Sequence, residues 1–430
     1  MNAIRRMRAL AMLFVFAAAP AAAAPLVGYD SGAQAFNEGA HGFHPVRIDA
    51  TALDAAETWL DLPDGSRITL RHLHEVRHDN GDRSWVGTVE TRGGLQSAVI
   101  TVGTHASFGH VPHPDGHPLR LWWRDGRAWL VTTSPAALAA RQRQLPAGFF
   151  DDARVPPQRL TATRQPVPEP ASAANPAVID LMVLHSSGMR SAGQPRMRAQ
   201  PDFPTLTRIN HLVALTNQAY IDSGIHARLR LVRTQEVDYP DTLTNNQALN
   251  AITSSQAPHF SGVGAMRDYH GADLVALLRP FVHPDQGSCG VAWMPSSFGP
   301  GTAAYGYSVS SDGSSGGWFC HEHTFPHEIG HNLGSNHNRA NAGTGGAFGY
   351  SYGLLRLPDA GQNNGFSTIM SYPVSSTPPV MLFSAPGVVE CRNQPCGVAD
   401  SEDNARSHNL TAPAVSNFRP TADNPPLRGR

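Results

Sequence analysis

Cysteine is scarce: the chain has four in 430 residues, and none before Cys289. The N-terminal half therefore lacks a disulfide framework and rests on its own apolar core. An excess of either charge is also missing, since Lys+Arg 33 against Asp+Glu 34 leaves a formal net charge of -1. That balance argues against a broad basic surface for nucleic acid or anionic lipid. No apolar run after the first residues is long enough to span a membrane. There is no CxxC pair to suggest a cysteine metal site, and no internal repeat. What the chain does have is length and histidine, with 21 of the latter. The length exceeds one ordinary core, so two domains and a tail are expected.

The first residues, MNAIRRMRALAMLFVFAAAPAAAAP, join a basic start (Arg5, Arg6, Arg8) to an apolar run from Ala9 to Ala19 and then small residues. This predicts a secretory signal peptide over 1–23, cut near Ala22 or Ala23. The apolar run is about half of the roughly 20 residues a spanning helix needs. A third arginine stands where twin-arginine export would want an apolar residue, so general secretion of a soluble, monomeric protein is expected. In an exported chain four cysteines imply disulfides, with three possible pairings. Sequence order favours Cys289 with Cys320 and Cys391 with Cys396.

From Val46 to Thr133, short apolar stretches alternate with turn signals at Pro63-Asp64-Gly65, Asn80-Gly81 and Asp125-Gly126. These are hairpin signatures, and they predict a small, mostly antiparallel β domain over 24–154. Residues 155–176, VPPQRLTATRQPVPEPASAANP, have no hydrophobic period and read as an extended linker open to proteases. The pattern then changes. VIDLMVLHSS reads as a buried strand, TLTRINHLVALTNQAYIDSG as an amphipathic helix ended by Gly224, and IHARLRLVRTQEV and ADLVALL as strands. Such alternation predicts an α/β domain with a mixed sheet over 177–420, closed by a helix in SEDNARSHNLTAPAVSNF. Residues 421–430 read as a flexible tail.

The stretch from His321 to Asn338, HEHTFPHEIGHNLGSNHN, holds five histidines. Within it His327, Glu328, His331, Gly334 and His337 form HExxHxxGxxH. Residues four apart on a helix share a face, so His327 and His331 can converge on one ion while Glu328 points beside it. If the helix ran on, His337 would lie about 9 Å further along its axis. Gly334 permits a left-handed turn that brings His337 back. Three imidazoles with an open fourth position describe a catalytic Zn2+ site. Pro326 lacks an N–H and belongs in a first helical turn, so the helix starts near His323 or Thr324. His321 and His323 are then expected to be solvated or supporting groups, and Glu328 rather than Glu322 the catalytic carboxylate.

With that motif, and with FSTIMSYP from Phe366 to Pro373, the sequence resembles the metzincin zinc metalloendopeptidases. The likeness runs from about Ala177 to Pro420 and is nearest to the reprolysin or adamalysin-like members. The bacterial peptidyl-Asp metalloendopeptidase group shares a similar layout. The resemblance implies a metzincin catalytic domain with a Met-turn at Met370 beneath the zinc. It also implies that CGVAWMPS, from Cys289, is an edge strand that pairs with extended polypeptide substrates, beside YGYSVSS. The chain departs from reprolysins at Asn338, where they usually carry Asp. Tyr372 instead resembles the astacin and serralysin arrangement, in which this tyrosine can approach the zinc. The expected activity is zinc-assisted peptide hydrolysis with Glu328 as base and Tyr372 as a hydrogen-bond donor to the oxyanion. The β domain and linker read as a pro-domain that inhibits a latent precursor. No cysteine precedes Cys289, so a thiolate cannot mask the zinc, and the masking group is left unnamed. The alternative is a non-catalytic zinc-containing peptide-binding module on the same fold, but that would be expected to have lost Glu328 or a ligand.

Overall fold

The computed structural model describes residues 23–143, 152–157, 169–190, 203–299 and 301–422. The expected signal peptide up to residue 22, the middle of the expected linker (158–168) and the tail from 423 lie outside the described residues.

Strands between Val27 and Thr133 form a ten-stranded sheet, with antiparallel pairing throughout. From Glu57–Asp61 to Arg127–Thr133 neighbours in sequence are neighbours in the sheet, as the hairpin signals predict. At Asp125-Gly126 both residues take positive φ (53° and 73°), the backbone that suits a two-residue hairpin turn. Side chains alternate between faces. Trp85, Ala98 and Ile100 thus join Leu60, Leu70, Leu121 and Leu130 in a core belonging to this sheet. Val86 and Val99, one residue along, instead join the core of the C-terminal part. The sheet is therefore buried on both faces, and the two halves of the molecule share apolar surface.

The C-terminal part holds a seven-stranded mixed sheet in the order Ala153–Arg154, Gly290–Trp293, Tyr307–Ser315, Leu274–Pro280, Ala177–Ser186, Ala227–Val237, with Trp318–Cys320 beside Tyr307–Ser315. The last four in that order pair in parallel, and the near-continuous apolar runs of the central two, Leu274–Pro280 and Ala177–Ser186, fit burial on both faces. The helix Phe203–Asp222 crosses over between two of them and ends before Gly224, whose φ of 70° closes it. Gly290–Trp293 runs antiparallel to Tyr307–Ser315 at the rim. The final helix spans Asn404–Val415. The disulfides pair Cys289 with Cys320 and Cys391 with Cys396, as sequence order favours.

Two segments near the expected boundaries pack against the C-terminal part. Ala153–Arg154, assigned to the N-terminal domain, pairs with Gly290–Trp293 of the other sheet. The end of the linker is packed, not open. Ala171 is buried in the C-terminal core and donates its N–H to the Asn409 carbonyl at 2.7 Å. A small apolar residue beside a free backbone donor is enough to dock there, and linker composition hides it.

Candidate metal centre

The helix Thr324–Asn332 starts where Pro326 requires, with His323 at its N-cap. It ends in a paired hydrogen-bond turn. Gly334, at φ 84°, donates to the His331 carbonyl (2.8 Å), and Ser335 donates to the Gly330 carbonyl (3.0 Å). This pairing satisfies carbonyls that the helix end would leave open and reverses the chain. His337 is thereby brought back beside the helix, its ring centroid 4.7 Å from that of His331 and 5.3 Å from that of His327.

All three imidazoles and Glu328 are buried. His327 donates its Nδ1 proton to the Ile369 carbonyl and His331 its own to the Ser335 carbonyl, each at 2.7 Å. Those bonds fix the tautomer, so both Nε2 atoms present lone pairs toward the centre. There the Nε2 atoms of His331 and His337 are 3.0 Å apart, and the buried Nε2 of His327 has no hydrogen-bond partner. Burial pushes the His331 pKa down to about 4, keeping the ring neutral. Lone pairs converging in a dry site repel one another unless a cation lies among them. Three nitrogen donors of this kind suit zinc, so the residues fit the ion their spacing implied.

Asp152 stands on the open side of this cluster. Its Oδ1 is 2.6 Å from His337 Nε2 and 3.4 Å from His331 Nε2, and its Oδ2 is 3.7 Å from His327 Nε2. The Tyr372 hydroxyl donates to the same Oδ1 at 2.6 Å. Burial opposes the Asp152 charge, and it is positive charge on the His337 and His327 side that holds the carboxyl well below its usual range. Glu328 is affected in the opposite sense: burial, and then the Asp152 charge, raise its pKa well above the usual value. The Glu328 carboxylate lies against Gly290 of the rim strand, where any Cβ would collide with it. Met370 is fully buried beneath the helix, and its sulfur takes the space a side chain at Gly330 would need. Asn338 accepts the backbone N–H of Tyr372 at 3.3 Å, linking the loop of His337 to the segment that follows Met370.

Residues 204–402 match the family model described as "Metallo-peptidase family M12B Reprolysin-like". That match takes in a little under half of the chain, and the likeness is to a reprolysin-like metallopeptidase domain. Similar to it are two curated proteins called "Peptidyl-Asp metalloendopeptidase". The one from Pseudomonas aeruginosa is 30% identical over 58% of this chain and 42% of its own length. The one from Xanthomonas campestris is 26% identical over 87% of this chain and 85% of its own. The chain thus spans less than half of the Pseudomonas relative. A solved structure titled "Structure of a chaperone-substrate complex" superposes with a TM-score of 0.42 at 16% identity, covering 85% of this chain and 42% of that one, too slight a likeness to define a shared fold.

At the start of the helix Thr324–Asn332 the structure decides between the two roles expected of His321 and His323. His323 is buried and His321 is largely covered, neither being solvated, because the N-terminal sheet lands on them. His110 of that sheet packs edge-on to His323 at 5.4 Å. Its Nδ1 is 2.8 Å from Glu322, whose other oxygen accepts from Arg120 Nε at 3.1 Å. Arg208 of the C-terminal part approaches Glu322 to 3.9 Å and forms a double hydrogen bond to Asp312 (2.8 and 3.0 Å). His110, Glu322 and His323 lie close enough to share an ion, but the two guanidiniums already balance the carboxylate, so the cluster reads as an ion pair across the two halves. Sequence reasoning missed Asp152, His110 and Arg120. Nothing local marks them, since their partners lie far along the chain.

Proposed function

We propose that this protein is a secreted zinc metalloendopeptidase, made as a latent precursor in which the N-terminal β domain acts as inhibitory pro-domain. The observation that carries the reading is the convergence of three imidazole lone pairs beside a buried carboxylate, next to a rim strand. In this reading His327, His331 and His337 hold the ion, and Met370 is the Met-turn residue supporting the helix from below. Zinc, when bound, supplies Lewis acidity and lowers the pKa of water. Glu328 takes the proton from the attacking water and delivers it to the leaving amine. Tyr372 donates to the developing oxyanion. An extended polypeptide adds to the edge strand Gly290–Trp293, whose main-chain groups hold it in register. A cavity of about 160 Å³ beside the histidines, walled by Phe319, His323 and Tyr372, offers room for one substrate side chain. The disulfides favour an oxidising compartment, in keeping with export.

The same cavity is roofed by His41, His117 and Arg120 of the N-terminal sheet, which supports latency. The packed Ala171 shortens the stretch available for processing to the part of the linker before it.

Glu328→Ala tests the reading. Cut in the linker by an added protease, the variant should keep one zinc per chain and lose casein hydrolysis by about 10²–10⁴-fold, the usual worth of a general base. Full activity in that variant would sink the assignment of Glu328. A peptide-library cleavage profile then decides whether bonds at aspartate are preferred, as the relatives' name says of them.

A further inference from the structure

We propose that Asp152 is the masking group of the precursor: its carboxylate closes the open side of the three-histidine site as a fourth ligand. The inference rests on reading His327, His331 and His337 as metal ligands, and it names how that site is kept silent.

Geometry is the first support. Donors about 2.0–2.1 Å from a tetrahedral zinc lie about 3.3 Å from one another. The Asp152 oxygens stand 2.6, 3.4 and 3.7 Å from the three Nε2 atoms, scattered about that value. Two of those nitrogens have their other ring nitrogen bonded to a backbone carbonyl, so they present lone pairs, not protons. A cation between these two nitrogens and the carboxylate relieves their repulsion, while His337 Nε2, at 2.6 Å from Asp152 Oδ1, is also within hydrogen-bond reach.

The seating of the main chain is the second support. Asp152 accepts the N–H of Ala292 at 2.9 Å, and Arg154 accepts that of Met294 at 2.7 Å. Ala153–Arg154 thereby pairs in parallel with the edge strand. Arg154 is tied further by its Nε to Asn246 Oδ1 at 2.7 Å. The segment takes the strand edge that a substrate would use. What it presents to the histidines, however, is a side-chain carboxylate. Its own carbonyl at Asp152 is turned to Ala292, so no peptide bond sits at the reacting position and the segment is held without being cut.

Tyr372 completes the arrangement. Its hydroxyl, assigned above to the oxyanion, is spent on Asp152 Oδ1. One residue therefore blocks the ion's open side and engages the oxyanion donor. Asp152 lies N-terminal to the linker, so a cut there severs it from the metallopeptidase domain.

The test uses the full-length chain in a Glu328→Ala background, which keeps it uncut, with cobalt(II) in place of zinc. Visible absorption reports the ligand set, and acetohydroxamate titration reports whether a coordination position is open. Asp152→Ala should change the cobalt bands and make the metal respond to the hydroxamate at roughly tenfold lower concentration or less. Asp152→Asn, which keeps the side-chain shape, should respond in the same direction and covers the case in which the alanine variant folds poorly. Unchanged bands and unchanged titration, with one cobalt still bound, would overturn the mask and leave the metal centre standing. Failure of every variant to hold stoichiometric metal would overturn the metal centre, and the mask with it.

Discussion

Gly334 shows how much of the centre depends on a single backbone angle. Its φ of 84° is costly for an L-residue, about 1–2 kcal/mol. A Cβ there would also stand 2.7 Å from the Ala347 methyl and 3.1 Å from the Pro295 carbonyl oxygen. Both terms oppose the turn that delivers His337. Gly334→Ala is therefore expected to lower the melting temperature and also to speed the loss of zinc to a chelator, because the third ligand is displaced with the turn. A variant that melts early but holds zinc normally would show that His337 is positioned by its own packing, not by Gly334. These residues were legible in the sequence because the chemistry is local. Helical spacing aligns His327 with His331, Pro326 marks the start, and Gly334 marks the stop. Asp152 was not legible, because one of two adjacent aspartates beside a proline-rich stretch acquires meaning only when folding sets it against histidines far along the chain.

At the scale of elements, the start of the helix Thr324–Asn332 is held by a carboxylate between two halves of the molecule. Glu322 is 1% exposed and contacts His110 and Arg120 of the N-terminal sheet. Forming a buried ion pair gains little net free energy, since desolvation offsets the attraction, but breaking one strands a charge. Glu322→Ala would leave Arg120, already 2% exposed with an unpartnered Nη1, without its counter-charge. The expected cost to the full-length chain is about 3–5 kcal/mol, read from urea unfolding. A loss below about 1 kcal/mol would mean that the interface rests on its apolar contacts instead. Reading the elements themselves from sequence succeeded where turn chemistry was explicit, as at Asp125-Gly126, and where apolar runs were long, as in Ala177–Ser186. It failed for Ala153–Arg154, since two residues carry no period. For His321 and His323 it left solvent and a supporting role both open until the sheet that covers them was in place.

For the whole molecule, the contact between the two halves carries histidines that must stay neutral. Burial, followed by the charge of Arg120, pushes His41 down to about 3. Burial pushes His117 down to about 4, with the hydrogen bond to the Ser375 carbonyl opposing. His321 and His323 across the contact are also held well below their ordinary value, by burial first. The groups facing His41 are Arg120, Arg141, His117 and Glu322; those facing His117 are Arg120, Arg392 and His113. Once the halves separate or unfold, such histidines return to about 6.5. The associated state then binds fewer protons over the interval below 6.5, so its stability is complete above that pH and declines as pH falls. One unit below 6.5, each histidine kept neutral costs about 1.4 kcal/mol, or about 3 kcal/mol for His41 and His117 together. Asp273 has the opposite sign. Burial raises it to about 7, so the stability it contributes is present at low pH and lost as pH rises through that value. It lies between the backbone N–H groups of Asp180 and Arg419, away from this contact, and cancels when variants are compared. Urea unfolding of the Glu328→Ala precursor at pH 7.5 and 5.5 should therefore show a drop that shrinks by about 3 kcal/mol in the His41→Gln, His117→Gln double variant. An identical pH dependence in the two proteins would remove these histidines as the source of acid sensitivity.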